Sequence, residues 1–321
     1  PEEIWAVIFS SGSSGEPKGV ALSGRALRES AAAHMEHSGR HNWLLNLPLH
    51  HVGGFSVVSR SFFSGTNLAV AGARFSTEET IGWLQSGKVE GVSLVPTTLS
   101  RLLRANADSS FLRLALLGGA PAGPEYEEAA ALGWPVRATY GLTENSSQAA
   151  TEKLAGGGMW PLPGVELKIE AGEIHLRSPF LASGYYRQGK LEPLPSHDGF
   201  FPTGDFGRFA GGALEVEGRK SEMIISGGVK VFPAEIENAL RGLPGLHDAA
   251  VSSLPDVEWG EIVCLAFVSE SLSAETVKSY LAARIDPRKI PKVWAKLTAI
   301  PRSALGKVQR ASLREEIARL R

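Results

Sequence analysis

The sequence predicts an α/β protein: a large N-terminal domain with a mostly parallel α/β sheet plus a small antiparallel sheet or barrel, followed by a small α+β C-terminal domain. Three observations carry this. The first two-thirds of the chain alternate β-rich runs with helical stretches, the signature of crossover units. Beyond about residue 160, short alternating runs replace that pattern. From Gly218 a third pattern begins, and 321 residues is about two domains of chain. The boundary is expected between 1–218 and 219–321.

Strands are expected at 5–9, 43–47, 67–70, 91–95, 112–117 and 135–139, where short β-rich runs stand between turn formers. Helices are expected over 22–37, 77–85, 97–105 and 124–132. Ser23 can cap the first of these. Ser76 and Glu79 have capping-box spacing, and Glu78 with Glu79 places acid at the positive end of the helix dipole. The runs 165–169 and 173–177, separated by the turn formers Ala171-Gly172, read as an antiparallel pair. After Gly218 come a strand, a helix at 233–240, strands near 249–253 and 262–268, a helix at 274–283 and a last helix after Gln309. No repeat or low-complexity linker interrupts this order.

Composition excludes several classes of function. Lys plus Arg (33) balance Asp plus Glu (34), so the basic field that non-specific nucleic-acid binding needs is missing. The single cysteine, Cys264, forms neither an internal disulfide nor a cysteine-based metal site, and suits a reducing compartment. No apolar run reaches the roughly 20 residues of a membrane span, and no charged-then-apolar leader is present. A cytoplasmic protein without a membrane span is expected; homo-oligomerisation is left open. Glycine, at 36 residues, exceeds the typical level of about 7% and directs attention to its clusters.

The first cluster is Ser10-Ser11-Gly12-Ser13-Ser14-Gly15-Glu16-Pro17-Lys18-Gly19, directly after the strand ending at Phe9. Serine hydroxyls, backbone N–H groups freed by glycine and one lysine make an anion cradle suited to a polyphosphate. A Walker loop ends in Gly-Lys-Ser/Thr; here Pro17 precedes Lys18 and Gly19 follows it, so that reading fails. On this loop alone, a Ser/Gly-rich surface turn is as good a description.

Further segments follow in order: Gly118-Gly119-Ala120-Pro121, Tyr140-Gly141-Leu142-Thr143-Glu144, Thr203-Gly204-Asp205, Gly218-Arg219, Ser226-Gly227-Gly228 and Pro301-Arg302-Ser303-Ala304-Leu305-Gly306-Lys307. With the loop, this series resembles the adenylate-forming superfamily of acyl-CoA synthetases and other AMP-binding enzymes. The resemblance implies ATP, Mg²⁺ and coenzyme A as reactants or cofactors. It implies ATP/AMP binding by Ser10, Ser11, Gly12, Ser13, Ser14, Gly15, Lys18, Gly118, Gly119, Ala120, Tyr140, Gly141, Asp205 and Arg219. Tyr140 would lie on adenine, Asp205 would accept the ribose hydroxyls, the Thr143 hydroxyl would reach phosphate, and Glu144 would hold Mg²⁺. Lys307 would be the lysine that enters the site for adenylation. Gly227 and Gly228 would line the coenzyme A channel once the small domain has turned. The hinge position is Ser221, where the family often has Asp or Lys. Members of the family carry a sizeable region ahead of the phosphate loop, and this chain is expected to lack it.

The segment Pro48-Leu49-His50-His51 matches the family's Pro-Leu-aromatic-His run, with His50 in the aromatic place and His51 next to the acyl group. The stretches from His51 to Arg60, 93–103 and 140–148 more narrowly resemble the o-succinylbenzoate–CoA ligases of menaquinone biosynthesis. That resemblance implies a substrate role for Arg60 and His51. An acid with two carboxylates needs a cation for the one that is not activated, and a guanidinium fork supplies it. The opposing reading places Arg60 off an apolar stripe of Phe55, Val58 and Phe62, as a solvated arginine. The expected activity is AMP-forming acid–CoA ligation. The alternatives are another aryl- or acyl-CoA ligase, or a non-catalytic nucleotide-binding relic.

Overall fold

The computed structural model describes residues 3–11, 17–72, 74–302 and 308–320, with the backbone alone at Ser10, Ser11 and Pro17. The chain folds as two compact units, Pro1–Val216 and Glu217–Arg321.

The first unit opens with strands β1 (Ile4–Ser11) and β2 (Pro17–Ser23), antiparallel, with Phe9 opposite Gly19 and Ser11 opposite Pro17. The sequence placed the first of these in the parallel sheet. Too few residues separate them for a parallel crossover, which takes a dozen or more. Helix α1 (Gly24–Ser38) follows, and Ser23 Oγ accepts from Ala26 N at 3.1 Å, the cap expected for it. The helix starts later than the expected residue 22 because Leu22, fully buried, belongs to β2.

Alternation then proceeds through β3 (Trp43–Leu45), α2 (Val52–Ser64), β4 (Leu68–Val70), α3 (Thr77–Gln85), β5 (Gly91–Leu94), α4 (Pro96–Arg104), β6 (Leu114–Leu117), α5 (Pro124–Ala131) and β7 (Val136–Leu142). The strands β4-β3-β5-β6-β7 pair in parallel in that order. β5 and β6 are buried at every residue, as a sheet covered on both faces requires. One face packs Leu44, Leu94 and Leu117 with Leu99 and Leu102 of α4; the other packs Trp43, Leu45, Leu114 and Leu116 with Val57 of α2. At α3, Ser76 Oγ accepts from Glu79 N at 3.2 Å, but the Glu79 carboxylate accepts from Gly72 N and leaves the capping box incomplete.

The unit continues as β8 (Ser147–Glu152), β9 (Met159–Pro161), β10 (Glu166–Glu170), β11 (Glu173–Arg177), β12 (Gly184–Arg187), β13 (Lys190–Glu192), β14 (Phe201–Ala210) and β15 (Ala213–Arg219). Because β8 turns back antiparallel on β7, the expected hairpin β10–β11 is not a sheet of its own. Among the described residues one sheet of eleven strands runs β10-β11-β14-β15-β9-β8-β7-β6-β5-β3-β4. The small antiparallel sheet is instead β1-β2-β12-β13.

The second unit holds β16 (Ile224–Ser226), β17 (Val229–Val231), α6 (Pro233–Leu240), β18 (Asp248–Asp256), β19 (Gly260–Val268), α7 (Ala274–Ala282), β20 (Val293–Lys296) and α8 (Arg310–Arg319). Its strands run β17-β16-β19-β18, with β20 parallel beside β19. Side chains of α6 and α7 pack one face around Val263 and Leu265; Leu313 and Ile317 of α8 pack the other, around Cys264 and Ala266. Cys264 is wholly enclosed there. No helix among the described residues is long and apolar enough to cross a membrane.

The β7–β8 turn depends on a bulge between Tyr140 and Gly141, where the Ser147 carbonyl lies so close that a Cβ on Gly141 would collide with it. Gly141→Ala is therefore expected to cost about 1–3 kcal/mol, read as a lower denaturant midpoint.

Candidate active site

Open α/β sheets bind ligands beyond the carboxyl ends of their strands. Here Gly118-Gly119-Ala120 follow β6, and Thr143-Glu144-Asn145 form a 3₁₀ turn directly after β7. Gly119, at φ +80°, holds a left-handed conformation. On β7 the Tyr140 hydroxyl donates to Asp205 Oδ2 at 2.9 Å, and both residues are buried. The Thr203-Gly204-Asp205 segment is an irregularity inside β14 rather than a free turn, because Asp205 N donates to Thr203 Oγ1 and Thr203 donates to the Ile174 carbonyl. The residues expected to meet adenine and ribose are thus already joined.

A second group forms where the small antiparallel sheet meets the end of β7. Val20 stands opposite Tyr185 and Gly19 opposite Tyr186. Lys18 Nζ lies 5.3 Å from the centre of the Tyr185 ring. The Tyr185 hydroxyl donates to Glu144 Oε1 at 2.9 Å, and Ala182 N donates to the Glu144 carbonyl at 2.8 Å. Burial, then the Glu144 charge, push the Tyr185 phenol up, so it stays a donor at neutral pH. Among the described residues no cation pairs with the Glu144 carboxylate. No cluster of three metal-ligating side chains exists among them either. That combination suits Mg²⁺, which takes one or two carboxylates plus substrate phosphates and needs no protein cage.

The third group lies along α2. His51 occupies the N-cap position, its ring 4.3 Å from that of His50. Arg60 is 4% exposed, which overturns the solvated-arginine reading; Phe62, assigned to the apolar stripe, is 69% exposed. The helix buries its small residues Ser56, Ser59 and Ser61 with Arg60. Arg60 Nη2 donates to Ser147 Oγ at 3.3 Å, and the guanidinium lies 5.5 Å from the Trp43 ring centre. Among the described residues no carboxylate pairs with it. Burial pushes Arg60 down to about 9, which leaves it cationic at neutral pH.

Ser147 reaches Arg60 from a strained turn: Ser146 is at φ +53° and Ser147 at φ +110°. Ser146 Oγ donates to the Phe180 carbonyl at 2.9 Å, and Asn145 Nδ2 to the Gln148 carbonyl at 2.8 Å. Behind it, His34 Nδ1 lies 2.9 Å from Gln148 Oε1, which makes Nδ1 the protonated nitrogen, and Gln148 Nε2 donates to Thr151 Oγ1 at 2.7 Å. Burial, then the nearby Arg60 charge, hold His34 well below the ordinary imidazole range.

Gly12, Ser13, Ser14, Gly15 and Lys307 lie outside the described residues. Ser10 and Ser11 end β1. Arg219 ends β15, Ser221 sits in the exposed 3₁₀ turn Lys220–Glu222, and Gly227-Gly228 turn β16 into β17 with Gly227 N donating to the Trp259 carbonyl at 3.0 Å; all four belong to the second unit. The sequence reading did not single out Tyr185, Trp43 or His34. None of the three left a signal in the sequence, because each gains its place only from pairing and packing between distant segments.

Comparison with known proteins shows the family. Residues 1–186 match the family described as AMP-binding enzyme, and residues 235–307 the AMP-binding enzyme C-terminal domain. The chain belongs to the AMP-binding enzyme family. Among its relatives, the 2-succinylbenzoate–CoA ligase of Lactococcus lactis is 34% identical, over 98% of this chain and 72% of that protein. The Bacillus subtilis enzyme of that name is 33% identical, over 96% and 68%. Among solved structures, o-succinylbenzoate CoA synthetase from Bacillus subtilis with its acyl-adenylate intermediate superposes with a TM-score of 0.86 at 33% identity, covering 96% of this chain and 68% of that one. The same enzyme with ATP and magnesium ion gives 0.85 at 32%, covering 96% and 69%. ATP-bound MatB from Rhodopseudomonas palustris gives 0.86 at 26%, covering 98% and 68%.

Two outcomes follow from the buried charges. Removing an enclosed cation that has no carboxylate partner among the described residues relieves a desolvation cost, so Arg60→Met is expected to stabilise the ligand-free protein by about 1–3 kcal/mol in denaturant titration. For His34, the folded pKa lies below the unfolded value of 6.5. As pH falls below 6.5 the unfolded chain takes up a proton that the buried ring does not, and stability drops by about 1.4 kcal/mol per pH unit from this group. Denaturation midpoints at about pH 7 and about pH 5.5 should show a smaller drop in His34→Gln.

Proposed function

We propose that this protein is an AMP-forming 2-succinylbenzoate–CoA ligase, working with ATP, Mg²⁺ and coenzyme A in the cytoplasm. In the first half-reaction a carboxylate oxygen of the acid attacks the α-phosphorus of ATP, the bond to pyrophosphate breaks, and an acyl-adenylate forms. In the second, the coenzyme A sulfur attacks the acyl carbon and AMP leaves. The observation that carries the choice of acid is the Arg60 guanidinium, buried beside Ser147 and Trp43 without a carboxylate among the described residues. An anionic group on the substrate would complete it.

The remaining roles are those that the family resemblance implies. Tyr140 and Asp205 receive the nucleoside, together with Gly118, Gly119, Ala120 and Gly141 along the ends of β6 and β7. Ser10, Ser11, Gly12, Ser13, Ser14, Gly15 and Lys18 cradle phosphate, and the Thr143 hydroxyl donates to it. Glu144 would hold Mg²⁺, which supplies charge neutralisation at the phosphates. His51 orients the acyl group next to the apolar cleft of about 510 Å³ lined by Val7, Phe9, Leu49, His50 and Phe55. In the segment 219–321, Arg219 adds a ribose or phosphate contact and Lys307 stabilises charge developing at the α-phosphate. Turning about Ser221 then brings Gly227 and Gly228 to coenzyme A.

Pyrophosphate release from Mg·ATP tests this with 2-succinylbenzoate, its analogue lacking one carboxylate, and other aryl and acyl acids. Release is expected with 2-succinylbenzoate and should vanish in Lys307→Ala. Arg60→Met should lose on the order of a hundredfold in kcat/KM for the dicarboxylate and little for the monocarboxylate. Equal losses on both acids, or release with another acid alone, overturn the assignment of substrate. A folded, ATP-binding protein that releases no pyrophosphate with any acid overturns the enzyme.

A further inference from the structure

One aromatic side chain touches both charged groups of the phosphate region. Tyr185 stands opposite Val20, and Lys18 is two residues from Val20 along β2, so by strand alternation Lys18 and Tyr185 share a face of the small antiparallel sheet. From there the ring meets Lys18 Nζ at 5.3 Å and the hydroxyl meets Glu144 Oε1 at 2.9 Å. Lys18 and Glu144 do not form an ion pair with each other. Without something between them, an ammonium and a carboxylate converging on one site would neutralise each other, and both would be lost to the ligand. A tyrosine keeps both available. Its ring face attracts the cation, and its hydroxyl fixes one carboxylate oxygen while the other keeps its lone pairs free.

We propose that Tyr185 is a positioning residue that holds the phosphate-loop lysine and the Glu144 carboxylate apart and pre-oriented, and so sets the affinity for the Mg²⁺ complex of ATP. This rests on the reading of Lys18 and Glu144 as phosphate and metal residues. It separates two functions of one side chain: the hydroxyl acts on the metal carboxylate, and the ring acts as the spacer for the lysine.

The test compares the unmodified protein with Tyr185→Phe, Tyr185→Leu and Glu144→Gln. Calorimetric titration gives ATP binding with and without Mg²⁺, and pyrophosphate release gives the Mg²⁺ half-saturation. Tyr185→Phe keeps the spacer and loses the orienting hydroxyl. It should raise the Mg²⁺ half-saturation about tenfold, with Mg²⁺-free ATP binding, the KM for the acid and the melting temperature unchanged. Tyr185→Leu should weaken Mg²⁺-free ATP binding as well, because Lys18 can then fold onto Glu144. Glu144→Gln should raise the Mg²⁺ half-saturation at least as far as Tyr185→Phe. An unchanged Mg²⁺ response in Tyr185→Phe beside a changed one in Glu144→Gln overturns the role of Tyr185. An unchanged response in both overturns the reading of Glu144 beneath it. If Tyr185→Leu does not fold, Tyr185→Phe decides alone.

Discussion

A cation buried without a carboxylate partner among the described residues is the constraint on which the packing around α2 depends. The cost of enclosing the Arg60 guanidinium is met only in part by the Trp43 ring and the Ser147 hydroxyl. Surroundings that were free to move would let water in or let the side chain out. They are closely tied instead: α2 lays small serines beside Arg60 so that the helix can sit close to β3 and β5, and the Ser146-Ser147 turn, in a disfavoured conformation, makes hydrogen bonds to Phe180 and within itself. His34 and Gln148 join α1 to the start of β8 from behind, and the histidine does so as a neutral ring, so the surroundings of Arg60 gain no second positive charge.

The cluster of Tyr140, Glu144, Asp205 and Lys18 is organised by strand direction. Parallel neighbours β6 and β7 pair up to Leu117 and Ala138, so Gly118 follows β6 beside Thr139, while β7 runs on to Leu142 and the Thr143-Glu144 turn. Because β8 reverses on β7, the same sheet runs on into β14 and brings Asp205 to Tyr140. The separate four-stranded sheet delivers Lys18 from the other side. Three pieces of backbone that are remote in sequence thus meet by pairing rules alone.

The layout of the large unit was legible because its strands and helices alternate in ways that hydrophobic period reveals, and the caps at Ser23 and Ser76 were readable as local chemistry. The route of β1 and β2 was not. A glycine-rich link reads as a loop whichever way the strands on either side of it pair. Helix α2 shows where periodicity misleads: Phe55, Val58 and Phe62 look like the inner face, yet Phe62 points outward and Arg60 inward. A helix pressed against a sheet favours small residues at the closest approach, and a buried cation can only be recognised with its surroundings in view. Likewise Tyr140, Glu144 and Asp205 stood out as members of motifs, whereas Tyr185 gains its meaning from register, which one sequence does not display.

Cys264 adds a consequence of a different kind. It is the chain's one sulfhydryl, and it is enclosed between β19 and α8 with no exposed surface. A protein whose cosubstrate is itself a thiol, and whose intermediate is an activated acyl group, gains from having no reachable thiol of its own: none is present to form a mixed disulfide or to intercept the acyl group. The same burial leaves the surface free of native thiols. A cysteine introduced on either unit would carry a spectroscopic probe without background labelling.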